Sequence, residues 1–184
     1  MEEYEGVRAM KIPLNTVKSH RNQEDIPRMM IQFDAAFDNR NFKSATGLVV
    51  WGLMGELLVS KSTLRNNISS SFAVEAYACF EAINLRTSLG MQSVKIMGDS
   101  RTIIKKCQTT STDESVIGAI IRDIQNMKTC FQEINFQHIH RLGKLKAHRI
   151  AKNTLEREDI TYLLREGLNS QAFISKGRWS RCPD

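Results

Sequence analysis

The sequence predicts an α/β domain in which a mixed five-stranded sheet carries helices on both faces. Three strand-like runs, at residues 30–37, 45–52 and 57–64, follow one another across short polar loops, as hairpin-connected antiparallel strands do. Helical and strand-like segments then alternate, which adds two parallel strands through crossover connections. The predicted order along the chain is therefore β-β-β-α-β-α-α-β-α.

Residues that favour turns separate the three leading strands. Residues 38–44 are polar, and residues 53–56, with Gly55, lie between the second and third runs. Residues 65–70 are rich in Asn and Ser, which suits a loop and the N-cap of a following helix. These boundaries predict three consecutive strands at the start of the domain.

An apolar stripe with helical spacing predicts the first long helix, over Ser71–Leu89. The stripe consists of Phe72, Ala76, Cys79, Phe80 and Ile83. Gly90 stands where a helix commonly ends in a left-handed residue. A fourth strand is expected over Ser93–Gly98, followed by a short helix over Arg101–Gln108.

The last elements are predicted in the same way. Apolar residues at helical spacing indicate a helix from Glu114 to about Lys128, and alternating apolar residues indicate a fifth strand over 131–139. A basic helix over 144–158 follows. From residue 159 onward the periodicity is lost, so no further element is expected.

The periodic part of the chain defines the domain. Residues 1–29 mix charges and polar side chains without periodicity. We therefore divide the chain into a flexible N-terminal segment (1–29), a folded domain (30–153) and a C-terminal part made of a helix end and an irregular tail (154–184).

Composition excludes several classes of protein. Of 184 residues, 41% are hydrophobic and 25% charged, close to globular averages, which argues against a disordered or fibrous chain. No apolar run approaches the roughly 18 residues that a membrane helix needs. The first residues are acidic and the four widely spaced cysteines form no CxxC pair, which disfavours a secretory leader, a disulfide framework and a cysteine zinc site. We therefore expect a soluble intracellular protein.

Positive charge is concentrated in the C-terminal quarter of the chain. The formal net charge is +6, and residues 141–184 carry ten basic and five acidic groups. Between Arg141 and Lys152 there are five basic residues and no acid. Such a stripe on a nearly neutral domain is typical of a polyanion binder, although charge alone fits a solvated helix face at least as well.

Three acidic residues occupy positions where an acid is unusual. Asp34 lies inside the first strand, Glu75 falls within the apolar arc of the first helix, and Asp99 ends the fourth strand. Each acid also has an explanation that involves no function. Asp34 could mark the end of its strand, Glu75 could interact with the helix dipole, and Asp99 could be an N-cap. Together they could converge to hold two divalent cations, Mg²⁺ or Mn²⁺, as in phosphoryl-transfer sites.

Five short segments have the layout of a known family. They are Phe-Asp-Ala-Ala-Phe at 33–37, Val-Glu-Ala at 74–76, Gly-Asp-Ser at 98–100, and the segments 136–143 and 147–152. Over about residues 30–153 this layout resembles the ribonuclease H-like superfamily and, more narrowly, plant reverse-transcriptase-like domains related to retroelements. The resemblance implies a ribonuclease H-like fold.

The resemblance also implies roles for individual residues. Asp34, Glu75 and Asp99 match three of the four metal-binding carboxylates of the superfamily, which would hold two Mg²⁺ or Mn²⁺ ions. His148 stands in place of the fourth acid and completes the candidate catalytic set, but a neutral imidazole adds no charge and is a poor ligand for Mg²⁺. Lys144 stands where the family usually has Asn.

A second group of residues is expected to contact nucleic acid. It consists of Ser100, Arg101, His138, Arg141 and Lys144. Contacts to phosphates would position the substrate, and the 2′-hydroxyl would distinguish RNA from DNA. Ordinary alternatives stay open, since Arg101 also fits a solvated helix residue and His138 a plain strand residue.

The resemblance implies an endoribonuclease that hydrolyses the RNA strand of RNA/DNA hybrids by two-metal catalysis. His148 favours a second hypothesis, a retroelement-derived protein that binds nucleic acid but has lost turnover. A third hypothesis, a protein-interaction module, rests only on the irregular tails. We expect a monomer that binds an RNA/DNA hybrid or a similar RNA-like duplex, with no membrane partner and no small-molecule cofactor.

Overall fold

The computed structural model describes residues 28–68, 70–129 and 133–164. Most of the N-terminal segment predicted over 1–29, and most of the C-terminal part predicted over 154–184, therefore lies outside the described residues. Within these three ranges, no helix is both long and apolar enough to cross a membrane.

The predicted hairpin strands form the middle of the sheet. β1 (Met29–Asp38) pairs antiparallel with β2 (Lys43–Trp51), which pairs antiparallel with β3 (Leu57–Asn66). Side chains alternate between the two faces of a strand, and Ile31 and Phe33 of β1 both lie in the hydrophobic core. Asp34 directly follows Phe33, so its side chain belongs to the opposite face of the sheet.

Two parallel strands extend the sheet on the other side of β1. β4 (Ser93–Gly98) pairs parallel with β1, and β5 (Glu133–His138) pairs parallel with β4. This arrangement confirms the predicted mixed sheet of antiparallel and parallel strands.

A sixth strand, β6 (Tyr162–Leu164), corrects the prediction of five strands and an irregular chain after residue 159. β6 pairs antiparallel with β3, so the sheet order is β5-β4-β1-β2-β3-β6. All three of its side chains are exposed, and the backbone and hydroxyl of Ser62 both bond to the backbone of Thr161 just before it. Backbone pairing without side-chain burial leaves no hydrophobic pattern, which is why the sequence did not indicate this strand.

Helices cover both faces, as predicted. α1 (Ser71–Ser88), α2 (Arg101–Gln108) and α3 (Gly118–Thr129) contribute to the core that contains Ile31 and Phe33, whereas α4 (Leu145–Arg157) packs on β1, β2 and β3 from the other face. The predicted glycine cap of α1 is also confirmed, since Gly90 has a φ of 64°.

The start of α3 was predicted four residues too early, at Glu114. The side chain of Asp113 accepts a hydrogen bond from the backbone N–H of Ser115 at 2.9 Å, and the N–H of Gly118 donates to the carbonyl of Ser115 at 2.7 Å. These local bonds hold the preceding residues in a turn, so the helix begins only at Gly118.

Gly47 lets α4 approach the sheet backbone to backbone. Gly47 is the cross-strand partner of Asp34 in β2. A Cβ atom at this position would lie 2.2 Å from the carbonyl oxygen of Ala147 and 2.7 Å from the nitrogen of Ala151, both buried residues of α4. The missing side chain therefore sets the distance between α4 and the strand that carries Asp34.

We expect Gly47→Ala to lower the free energy of unfolding by about 1–3 kcal/mol, the usual cost of an overpacked substitution. Urea denaturation of both proteins measures this difference. Gly143→Ala is the matched control, because a Cβ there would meet its nearest atom only at 3.8 Å. Equal losses of stability in the two variants would contradict the close approach at Gly47.

Candidate metal centre

Three elements bring three carboxylates to one place. The pairing of β1 with β4 ends at Gln32, so Asp34 lies where β1 continues past its neighbour. Asp99 directly follows β4, and Glu75 lies in the second turn of α1, which packs on β1. Each of the three residues offers a carboxylate oxygen within 4.8 Å of the others. The structure thus groups the three acids that the sequence singled out.

A buried lysine lies among these carboxylates. The Nζ of Lys144 donates to the Oδ1 of Asp34 and, at 2.5 Å, to the Oδ1 of Asp99. Its side chain is fully buried, which a charged group tolerates only when it is paired. Lys144 was expected among the contacts to nucleic acid, whereas its ammonium group lies beneath the surface and bonds to two carboxylates.

Gln32 ties the turn that carries Lys144 to the sheet. Residues Arg141–Lys144 form one turn of 3-10 helix before α4. The side-chain amide of Gln32 donates to the carbonyl of Gly143 at 3.0 Å, and its oxygen accepts from the indole N–H of Trp51 at 2.9 Å. Both ends of the Gln32 amide are used, so the turn has a defined position against β1 and β2.

His148 contacts the same aspartate from one turn further along. Its Nδ1 lies 2.6 Å from the Oδ2 of Asp34. An ionised carboxylate only accepts hydrogen bonds, so Nδ1 of His148 donates to Asp34. Lys144 and His148 therefore occupy both oxygens of Asp34, and the side chain of His148 stays 30% exposed.

Glu75 is the one carboxylate of the three that forms no hydrogen bond with Lys144. Burial raises the pKa of Glu75 to about 8; the charge of Lys144 lowers it, and those of Asp34 and Asp99 raise it further. Among the described residues, its buried Oε2 has no hydrogen-bond partner. An orphaned carboxylate oxygen beside two other acids is a position that a cation would satisfy.

The donor atoms of this cluster fit a hard divalent cation. Asp34, Glu75 and Asp99 offer oxygen only, the ligand type that Mg²⁺ and Mn²⁺ prefer over the nitrogen and sulfur ligands typical of zinc. The unpartnered Oε2 of Glu75 is the observation of this structure that supports the fit.

The remaining candidates lie around the cluster. Ser100 caps α2 with its side chain, and Arg101 begins that helix with an exposed side chain. The Nε2 of His138 lies 3.2 Å from the carbonyl oxygen of Asp99, to which it donates. Arg141 is exposed on the turn before α4. These positions leave Arg101 and Arg141 free to contact a polyanion, whereas Ser100 and His138 already have partners.

A family model described as reverse transcriptase-like matches residues 32–154, about two thirds of the chain. The chain belongs to this family. The match confirms the family resemblance drawn from the sequence motifs, while the plant origin stays a prediction. No curated protein sequence matches the chain.

Solved structures place this reverse transcriptase-like chain among ribonucleases H in fold. The N-terminal ribonuclease H domain of a Mycobacterium tuberculosis protein, solved as a fusion with maltose-binding protein, is 15% identical with a TM-score of 0.63, over 70% of this chain and 94% of that one. Ribonuclease H1 from Halobacterium salinarum is 17% identical with a TM-score of 0.61, over 72% and 99% of the two chains.

A third solved structure contains a ligand. LC11 ribonuclease H1 in complex with an RNA/DNA hybrid is 17% identical to the reverse transcriptase-like chain, with a TM-score of 0.63 over 71% of this chain and 99% of that one. At these identities the likeness concerns the fold, and it confirms the predicted ribonuclease H-like architecture.

Two features of this centre were not predicted from the sequence: the part played by Gln32 and the buried position of Lys144. A helical signal for Lys144 was present, since positions 144, 147, 148 and 151 share one face at i, i+3, i+4 and i+7. A lysine at the head of the stripe that holds Ala147 and Ala151 indicates a buried charge. For Gln32 the sequence carries no comparable signal.

The pKa of Glu75 predicts how metal-free stability changes with pH. The unfolded chain releases this proton near pH 4.5, whereas the folded protein holds it up to about pH 8. The folded state binds more protons across this window, so the free energy of unfolding falls as the pH rises. We expect Glu75→Gln, measured in EDTA, to gain stability relative to wild type between these two pH values.

Urea denaturation of both proteins at several pH values tests this expectation. The other titrating groups are common to both, so the difference between the two curves reports on residue 75. A difference that stays constant from pH 4.5 to pH 8 would show that Glu75 is not perturbed in this way.

Proposed function

We propose that this protein is a divalent-metal-dependent endoribonuclease that cuts the RNA strand of RNA/DNA hybrids. The observation that carries the proposal is the grouping of Asp34, Glu75 and Asp99, with carboxylate oxygens within 4.8 Å of one another. A solved neighbour of the same fold was captured with an RNA/DNA hybrid, which supports the choice of substrate.

The carboxylates have a defined part in this reaction. Asp34, Glu75 and Asp99 would hold Mg²⁺ or Mn²⁺, which when bound supplies Lewis-acid activation of water and stabilisation of the leaving oxygen in phosphodiester hydrolysis. No covalent intermediate on the protein is required. The sequence-based expectation of two ions stays a prediction.

Neighbouring residues orient these acids and the substrate. His148 fixes the orientation of Asp34 through the hydrogen bond from Nδ1. Arg101 and Arg141, exposed at the start of α2 and on the turn before α4, would contact phosphates and hold the hybrid over the cluster. A monomer inside the cell, without a small-molecule cofactor, remains our expectation for its state.

One observation favours a second function, binding of the same hybrid without hydrolysis. Lys144 already neutralises part of the charge of Asp34 and Asp99, and His148 brings no carboxylate to the fourth position. In that case the carboxylates and Lys144 would form a structural ion-pair network under a basic surface. A cleavage assay separates the two functions.

We expect Asp99→Asn to lower the rate of hybrid cleavage by about 100-fold or more, since loss of even an outer partner of a metal ligand costs about 10- to 100-fold. The assay follows an end-labelled RNA/DNA hybrid in Mg²⁺ and, separately, in Mn²⁺. Asp123→Asn, an exposed aspartate of α3, is the matched control and should keep wild-type activity.

Two outcomes would count against this assignment. Wild-type activity in Asp99→Asn would remove Asp99 from the metal centre. No cleavage by the wild-type protein with either metal, together with salt-sensitive binding of the hybrid, would favour the non-hydrolytic function.

Arg141 is expected to contribute to binding under either function. If it contacts one phosphate, Arg141→Ala should weaken hybrid binding and reduce the slope of log affinity against log salt by about one unit. Arg122→Ala removes an equally exposed arginine from α3, on the other face of the sheet, and should leave the slope unchanged. Fluorescence anisotropy at several salt concentrations measures both, and identical slopes for the two variants would argue against a contact at Arg141.

A further inference from the structure

The carboxylate cluster contains its own cation. The Nζ of Lys144 donates to Asp34 and Asp99, and the side chain has no exposed surface. If the proposed function is right, on which this inference rests, a metal must bind beside this ammonium group or displace it.

Several contacts hold Lys144 in place. Gln32 bonds to the carbonyl of the preceding residue, Gly143, and α4 begins directly after Lys144. α4 in turn lies against Gly47 with no room for a side chain between them. These contacts fix the backbone of Lys144 beside the cluster. To leave, its fully buried ammonium group would have to break its ion pairs with both Asp34 and Asp99, so we expect it to stay when a metal binds.

The charges then match one divalent ion. With all three acids ionised, the cluster carries three negative charges, and Lys144 reduces the total to two. His148 adds no negative charge in either protonation state. One divalent ion neutralises this set, whereas two would leave an excess of two positive charges in a partly buried place, which is electrostatically costly.

The carboxylate oxygens without a partner belong to only two of the three acids. Lys144 and His148 occupy both oxygens of Asp34 and the Oδ1 of Asp99. Within the described part of the chain, the Oε2 of Glu75 is without a partner and no hydrogen bond reaches the Oδ2 of Asp99. The uncommitted oxygens therefore belong to Glu75 and Asp99, while both oxygens of Asp34 already bond to a cation and an imidazole.

We propose that Lys144 is the permanent second cation of this centre, so that the site binds one divalent ion instead of the two expected from the sequence. The ammonium group would supply the fixed positive charge that a second ion would otherwise supply. Lys144 acts in this way through Asp34 and Asp99, as a residue that sets the number and affinity of bound metals.

The number of bound ions tests the proposal directly. Isothermal titration of the wild-type protein with Mn²⁺, checked by electron paramagnetic resonance of the free ion, should saturate at one ion per chain. Saturation at two ions would overturn the role of Lys144 and leave the proposed hydrolytic function standing. An absence of specific Mn²⁺ binding would instead overturn the proposed function itself, and with it this inference.

Removal of the charge gives a second readout. Lys144→Met removes the charge and keeps an unbranched side chain that is one atom shorter. We expect this variant to bind a second Mn²⁺ ion or to bind the first about tenfold more tightly, because the competing positive charge is gone. Lys152→Met removes the same charge from an exposed position of α4 and should match wild type. Unchanged stoichiometry and affinity in Lys144→Met would overturn the proposal.

Circular dichroism establishes that each variant is folded before titration. If Lys144→Met does not fold, Lys144→Gln replaces it, since its amide can still donate a hydrogen bond to one of the two aspartates. The wild-type stoichiometry decides between one ion and two in either case.

Discussion

The pairing of one buried ammonium group with two aspartates is the interaction around which the functional end of this domain is arranged. Three carboxylates within 4.8 Å repel one another unless a cation lies among them, and a fully buried lysine is unstable unless anions surround it. Lys144 and the acids therefore stabilise each other. The end of β4, the middle of β1 and the turn before α4 consequently behave as one electrostatic unit, and a change in any of them affects the other two.

The sheet makes this arrangement compatible with a stable core. Ile31 and Phe33 point into the apolar layer under α1 to α3, while Asp34 belongs to the face that α4 covers. Because Gly47 lies opposite Asp34 in the register, the backbone of α4 comes close enough for His148 to reach that aspartate. The alternation of β1 thus directs its apolar side chains into the core and Asp34 towards the polar centre.

Sequence patterns predicted those parts of the molecule in which buried residues recur at regular intervals along the chain. Five strands, four helices and the three clustered acids follow from periodicity and from acids at unusual positions. β6 was not predicted because its side chains are exposed. The role of Lys144 was not predicted because its partners, Asp34 and Asp99, lie 110 and 45 residues away in sequence. Its neighbours Lys146 and Arg149 are exposed, so the stretch had the pattern of a solvated helix face. The helical spacing could have indicated that Lys144 is buried, but nothing near it in the sequence identifies its two partners, which is why the fold was predicted more completely than the site.

The position of β6 also decides where a label can be attached. β6 forms one edge of the sheet, separated from β1 by β2 and β3. At about 4.8 Å between neighbouring strands, this places Leu164 on a strand about 14 Å from the one that carries Asp34. A fluorophore attached to the exposed side chain at position 164 would therefore lie at the far edge of the sheet, so single-molecule recordings of hybrid binding can use that position without crowding the carboxylates.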